Sequence, residues 1–212
     1  MKKKKLCIAI GSLAAFALWT VLVSLVDVQS IGPRESSVGF ATLNRLVHSL
    51  TGVHMSLYTV TDWLGLVPIA VAFGFSVYGL VQLMRRKSLC RVDRSIRALG
   101  VFYLAVMAVY LLFEVLVVNY RPVLIGGVLE ASYPSSTTML VLCVMPTAAI
   151  QLGKRIQNTI LGRALVAVII AFTAFMVVGR LLSGVHWLTD IIGGALVSTG
   201  LVMVYDALGN ED

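Results

Sequence analysis

Charge is scarce in this chain. Only 13% of its 212 residues are Asp, Glu, Lys or Arg, where a soluble domain carries about a quarter. That excludes the large hydrated surface of an ordinary soluble globule. Cysteine is scarce as well. Cys7, Cys90 and Cys143 are odd in number and far apart, so neither a disulfide framework nor a zinc pattern is present. No period-2 alternation supports a β-barrel. No internal repeat or low-complexity linker divides the chain. The N-terminal stretch MKKKKLCIAIGSLAAFALW is not followed by a small-residue cleavage site, so it reads as an uncleaved anchor rather than a signal peptide.

Apolar surface is what the chain has. Hydrophobic residues make up 58% of it, and the mean hydropathy is +0.93. A helix needs about 20 apolar residues to cross a bilayer. Six runs qualify or nearly so: 6–26, 64–84, 98–118, 138–152, 164–182 and 189–208. The fourth is short and contains Pro146, which predicts an earlier start or a kink. Because backbone groups in lipid must be satisfied internally, helices are the expected solution. The predicted fold is all-α, a six-transmembrane-helix bundle in a single membrane domain. Residues 1–63 form its N-terminal anchor helix and outer-face loop, and residues 64–208 its membrane core.

The net charge of +7 acquires meaning from its position. Lys2–Lys5 precede the first run, six cations lie between runs two and three, and Lys154, Arg155 and Arg163 lie between four and five. Of the 17 Lys and Arg, only Arg34, Arg45, Arg121 and Arg180 fall on the other side. The positive-inside rule then places both termini in the cytoplasm. The basic excess reports topology and attraction to anionic lipid, not nucleic acid. Four lysines without a transit signal suit a bacterial plasma membrane. The outer loop 27–63 carries a helical apolar pattern over 37–50, which reads as an interfacial or connecting helix. Asp62 is expected to cap the second span, with Trp63 in an interfacial aromatic belt.

This topology brings three polar stretches to the outer face: N-Y-R-P (119–122), Y-P-S-S-T-T (133–138) and G-R-L-L-S-G-V-H-W-L-T-D (179–190). His186 and Asp190 are spaced for one helical turn. A carboxylate beside an imidazole fixes its tautomer and frees the other nitrogen as base, nucleophile or ligand. Asp190 capping the sixth span beside an interfacial His is the plainer reading. Arg121 and Arg180 either snorkel to lipid phosphate or converge as an oxyanion clamp, since guanidinium binds phosphate bidentately. Ser135 and Ser136, near a helix N-terminus, offer hydroxyls and free N–H groups suited to an anion. Tyr120 and Tyr133 are expected in the interfacial belt, and His48 and His54 read as loop histidines. Glu114, inside a span, is costly there and functional by default. Two turns below Arg121, it is expected to pair with Arg121 or Arg180, to serve as a proton donor, or to hold spans together.

Arg121–Pro122, Pro134–Ser136 and the R-x5-H-x3-D of Arg180, His186 and Asp190 resemble the three signature motifs of the type 2 phosphatidic acid phosphatase and vanadium haloperoxidase superfamily. The resemblance covers about residues 64–208. It implies a six-helix membrane phosphatase that removes phosphate from a lipid without metal or cofactor. His186 would form a phosphohistidine, Asp190 would orient it, and Arg121, Arg180, Ser135 and Ser136 would hold the phosphoryl oxygens. The chain departs from that pattern at Glu114, where the family has Lys, at Thr137, where it has His, and at Gly179, where it has Ser. Losing a general acid costs typically 10²–10⁴-fold when the leaving group is strongly basic. A lipid phosphate leaving from a pyrophosphate needs no such proton, because phosphate's second pKa is about 6. Thr137 therefore favours a substrate such as a polyprenyl pyrophosphate at the outer face. The expected partners are a phospholipid or polyprenyl (pyro)phosphate and the membrane. A binding or carrier protein of the same fold with little turnover is the alternative expectation.

Overall fold

The computed structural model describes residues 2–209. In chain order its helices are α1 (Lys2–Leu25), α2 (Ala41–Thr51), α3 (Met55–Leu64), α4 (Leu66–Arg86), α5 (Arg94–Val115), α6 (Ser136–Arg155), α7 (Thr159–Leu182) and α8 (Leu188–Leu208). A two-stranded ribbon, Gln29–Ser30 against Ser37–Val38, lies in the loop between α1 and α2. Six stretches are long and apolar enough to cross a membrane: α1, α3 with α4, α5, α6, α7 and α8.

Burial sets the order of the bundle. Half of the apolar stretch of α6 and of α8 is enclosed, against 11 to 22% in the other four. The central pair is therefore α6 and α8, and the rest present their outer faces to lipid. One core joins Leu99, Phe102 and Val106 of α5 to Met139 and Cys143 of α6 and Val197 and Tyr205 of α8. A second joins Val141 and Met145 of α6 to Ile169 and Met176 of α7. α1 lies along α8, where Gly200 admits Leu13: a Cβ at Gly200 would stand 2.6 Å from Leu13 Cγ. Lys5 Nζ closes the end of that pair where α1 begins and α8 ends, on Asp206 at 2.6 Å.

The fourth span is longer than its apolar core suggests. It runs from Ser136 to Arg155 with Pro146 inside it. Thr147 Oγ1 donates to the carbonyls of Cys143 and Val144 at 2.9 Å, in the turn that proline interrupts. The second span begins earlier than 64, as α3. Asp62 consequently lies in the last turn of α3 and caps nothing. The third span ends at Val115, so residues 116–118 are outside it. Glu114 therefore sits at the C-terminal end of α5, exposed, and not two turns beneath Arg121.

Between α5 and α6 the chain makes a short hairpin. Ile125 and Val128 exchange backbone bonds at 3.2 and 3.0 Å around Gly126 and Gly127, whose φ values are 57° and 80°. Positive φ at both central residues is the tight-turn geometry that glycine pairs favour. In its arms, the Arg121 N–H donates to the Glu130 carbonyl at 3.0 Å and the Ser132 N–H to the Asn119 carbonyl at 2.9 Å. Tyr133, expected in the interfacial belt, is instead 2% exposed. Its hydroxyl meets Thr20 Oγ1 of α1 at 2.7 Å and its ring stacks on Phe16.

Candidate active site where α7 meets α8

His186 lies on the turn 183–187 that joins α7 to α8. Gly184 makes the turn with φ 70°. His186 Nδ1 is 3.6 Å from Asp190 Oδ2, and both side chains are almost wholly enclosed. The four-residue spacing works differently from a helix face. His186 precedes α8, and Asp190 is the third residue of that helix. Its Oδ2 reaches back to the N–H of Trp187, the N-cap, at 2.9 Å. This is the return half of a capping box, and it leaves the carboxylate beside the imidazole. Asp190 thus caps its helix and faces His186 at once, and His186 is buried rather than interfacial.

Two further bonds fix Asp190. Asn119 Nδ2 donates to Oδ1 at 3.3 Å, and the Asp190 carbonyl accepts from the Ser135 N–H at 3.1 Å. The second bond joins the head of α8 to the head of α6. Ser135 is the N-cap of α6, with its Oγ accepting from the Thr138 N–H at 3.4 Å. Ser135 is fully buried and committed to capping, whereas Ser136 is partly open to two cavities. Thr137 opens onto one of them.

The two arginines flank this centre. Arg180, in the last turn of α7, is 1% exposed. Nη1 donates to Thr61 Oγ1 at 3.4 Å, Nη2 to Asp62 Oδ1 at 3.5 Å, and the guanidinium lies 4.9 Å from the Tyr58 ring centre. Arg121 Nε stands 3.0 Å from Glu130 Oε2. Neither arginine pairs with Glu114, whose sequence-based assignment as their partner is corrected here. Buried polar atoms almost always find partners, yet Arg121 Nη1, Arg180 Nε and both ring nitrogens of His186 have no hydrogen bond. Burial pushes the His186 imidazole down to about 4, and the charges of Arg121 and Arg180 push the same way against the pull of Asp190. The ring is therefore a neutral imidazole inside a cationic enclosure.

Two cavities share Ser136 in their walls. One, of about 520 Å³, is bounded by Arg121, Glu114, Glu130, Ser132 and Ser136. The other, of about 550 Å³, is mostly apolar and runs between α4, α5 and α6, with Asp62, Ser136 and Thr137 at its polar end. Among the described residues no group of three His, Cys, Asp or Glu gathers in a metal-binding arrangement.

Four contributors escaped the sequence reading. Asn44 of α2 donates to Thr189 Oγ1 at 3.0 Å and accepts from the Thr189 N–H at 3.3 Å. His48, one turn on, hydrogen-bonds the Gly184 carbonyl through Nε2 at 3.1 Å, its ring against Trp187. Asn119 and Asp62 complete the set. The segment between α1 and α4 is therefore a brace for the His186 turn. His54 joins it through its backbone N–H, which donates to the Ser183 carbonyl at 3.0 Å.

The PAP2 superfamily profile matches residues 101–208, a stretch containing Arg121, Ser135, Arg180, His186 and Asp190. Among solved structures, the chain is similar to a transmembrane PAP2 type phosphatidylglycerolphosphate phosphatase from Bacillus subtilis, at 16% identity and a TM-score of 0.57. That match covers 93% of this chain and 94% of the other. At such identity the likeness establishes the fold. No curated protein matches the chain.

Proposed function

The chain belongs to the PAP2 superfamily, and from that premise we propose that it is an integral membrane phosphatase that takes phosphate from a lipid through a phosphohistidine on His186. One observation carries this reading: buried guanidinium nitrogens of Arg121 and Arg180 lack partners, and the charges of both act on the buried His186 ring. Each unpartnered buried polar group costs about 1–3 kcal/mol, and a phosphoryl anion is a ligand that gives the two guanidiniums their missing acceptors. Phosphoryl transfer demands mainly positioning and charge stabilisation. The two guanidiniums and the open first turn of α6 at Ser136 supply these, and neutral His186 supplies the attacking Nε2. Asp190, bonded to the Trp187 N–H and Asn119, holds the ring.

The substrate in this reading is a lipid (poly)phosphate presented at the outer face, its chain in the apolar cavity. Thr137 offers no ionisable proton, so a leaving group that departs as phosphate is favoured, as in a polyprenyl pyrophosphate. Residues 1–63 then anchor and brace, while residues 64–208 hold the core. The basic loops place both termini in the cytoplasm, in a bacterial plasma membrane. The test is a phosphate-release panel of lipid monophosphates and pyrophosphates, with wild type set against His186→Ala. Release by wild type, fastest from pyrophosphates and lost in the variant, is the expected result. Tight lipid binding with no release by wild type would make the chain a carrier.

A further inference from the structure

Cleavage of a phosphate ester needs a proton for the departing oxygen, and nothing described so far supplies it. We infer that Asp62 is the general acid of the site, acting from α3 at the junction between the apolar cavity and the phosphoryl clamp. The inference rests on the phosphatase reading above.

Place the lipid as the cavities dictate. Its chain occupies the apolar cavity, and its phosphorus lies at Arg121, Arg180 and His186. The wall of that cavity holds none of these three, and its link to them is Asp62, which accepts from Arg180 Nη2. The oxygen joining chain and phosphorus is placed at that link, where the polar groups of the wall are Asp62, Ser136 and Thr137. A hydroxyl is too weak an acid to serve near neutral pH. Tyr103 and Tyr110 line the same cavity, but a phenol ordinarily releases its proton only near pH 10. Asp62 is the one carboxyl group in that wall. It is already tied to the machinery, since its Oδ1 accepts from Arg180 Nη2 at 3.5 Å. The contact is long and the Asp62 side chain 57% exposed, so an incoming phosphoryl group can take Arg180 from it. The released carboxyl group then lies beside the incoming phosphoryl group.

The steps balance. His186 Nε2 attacks phosphorus, the P–O bond to the lipid breaks, and the leaving oxygen takes the carboxyl proton of Asp62. Water next attacks the phosphohistidine, its proton passes to the Asp62 carboxylate, and the P–N bond breaks to release phosphate and neutral His186. A pyrophosphate substrate omits the demand for the first proton. Asp62 would therefore govern how far the enzyme reaches beyond pyrophosphates to esters. Glu130 is the competing carboxyl group, but it lines the other cavity, beside Arg121.

A series of substituted phenyl phosphates tests this, with phenol release read in the first turnover of detergent-solubilised protein. Wild type should show a shallow dependence of rate on the basicity of the phenol. Asp62→Asn, which keeps the size and the link to Arg180, should show a steep one. Its loss should be at least 100-fold greater for the most basic leaving group than for the least. Thr137→His added to Asp62→Asn should restore part of the shallow dependence, which a purely structural role for Asp62 would not allow. An unchanged slope in Asp62→Asn, or a steepened slope in Glu130→Gln instead, overturns the inference. Failure of the phosphatase reading is separate: wild type would then release no phenol at all, or His186→Ala would match it.

Discussion

Asn119 and Asp190 meet at 3.3 Å across 71 positions of the chain, with Asn119 Nδ2 donating to Asp190 Oδ1. Asn119 also accepts from the Gly39 N–H at 3.3 Å, so one buried amide ties the loop after α1 to the Asp190 carboxylate. A hydrogen bond to a charged group is worth about 1.5–3 kcal/mol. In the proposed mechanism Asp190 orients His186 without touching substrate, so Asn119→Ala should lower kcat by about 10- to 100-fold with little change in KM. A kinetic comparison on a phosphate-releasing substrate checks it, and an unchanged kcat would show that Asp190 is held well enough by Trp187 alone.

Arg180 invites a substitution that keeps charge and removes shape. Lysine cannot reproduce the planar fork that reaches Thr61, Asp62 and the Tyr58 face together. Arg180→Lys should reduce kcat/KM by about 10²–10³-fold, the cost of losing one preorganised donor set. Arg121→Lys should cost less, because its side chain is 11% exposed and that of Arg180 2%. Equal, near-wild-type activity in both would mean that the arginines serve only as positive charge at the membrane surface.

The reach of the sequence follows from the range of the interactions. The spans were legible because each apolar run approximates the bilayer thickness. Arg121, Arg180, His186 and Asp190 were legible because topology alone brings their segments to one face. Asn44, His48 and Asp62 were not, since each acts on a partner more than 100 positions away, and no local period reports such a contact. Glu114 was misplaced because nothing in L-L-F-E-V-L-V-V signals that α5 stops at Val115. One signal was present and unused. The Gly126–Gly127 pair between Val-Leu-Ile and Val-Leu-Glu marks a two-residue hairpin, which sets Arg121 against Glu130.

Gly184 is the point at which the brace and the His186 turn share a backbone. Its φ of 70° suits glycine, its carbonyl is held by His48, and a Cβ there would strike the Gly52 carbonyl and lie 3.0 Å from Val53 Cα. Gly184→Ala should destabilise the fold by more than about 1 kcal/mol and displace the His186 turn. A lowered Tm with reduced turnover is expected. By comparison, alanine at Gly126 has open space around its Cβ, so Gly126→Ala incurs only the backbone strain and should shift Tm less. Equal shifts would place the strain in φ and not in the contact with Gly52.

His186 should leave a mark on stability against pH. Its ordinary value is 6.5, and in the folded chain burial pushes it down to about 4, with Arg121 and Arg180 adding to that push and Asp190 opposing it. Between these values the unfolded chain binds a proton at this position and the folded chain does not. Stability therefore rises with pH across that window. The contribution is complete above about pH 6.5 and is lost as pH falls towards 4. His186→Gln removes the group, so its Tm should fall less steeply than that of wild type from pH 7 to pH 5. Parallel falls would show that the folded protein binds the proton as readily as the unfolded chain, leaving His186 no longer the neutral nucleophile that phosphoryl transfer requires. Bound phosphate should narrow the difference, because an anion at Arg121 and Arg180 offsets the cationic field on the ring. Thermal scans with and without inorganic phosphate across that pH range measure both effects at once.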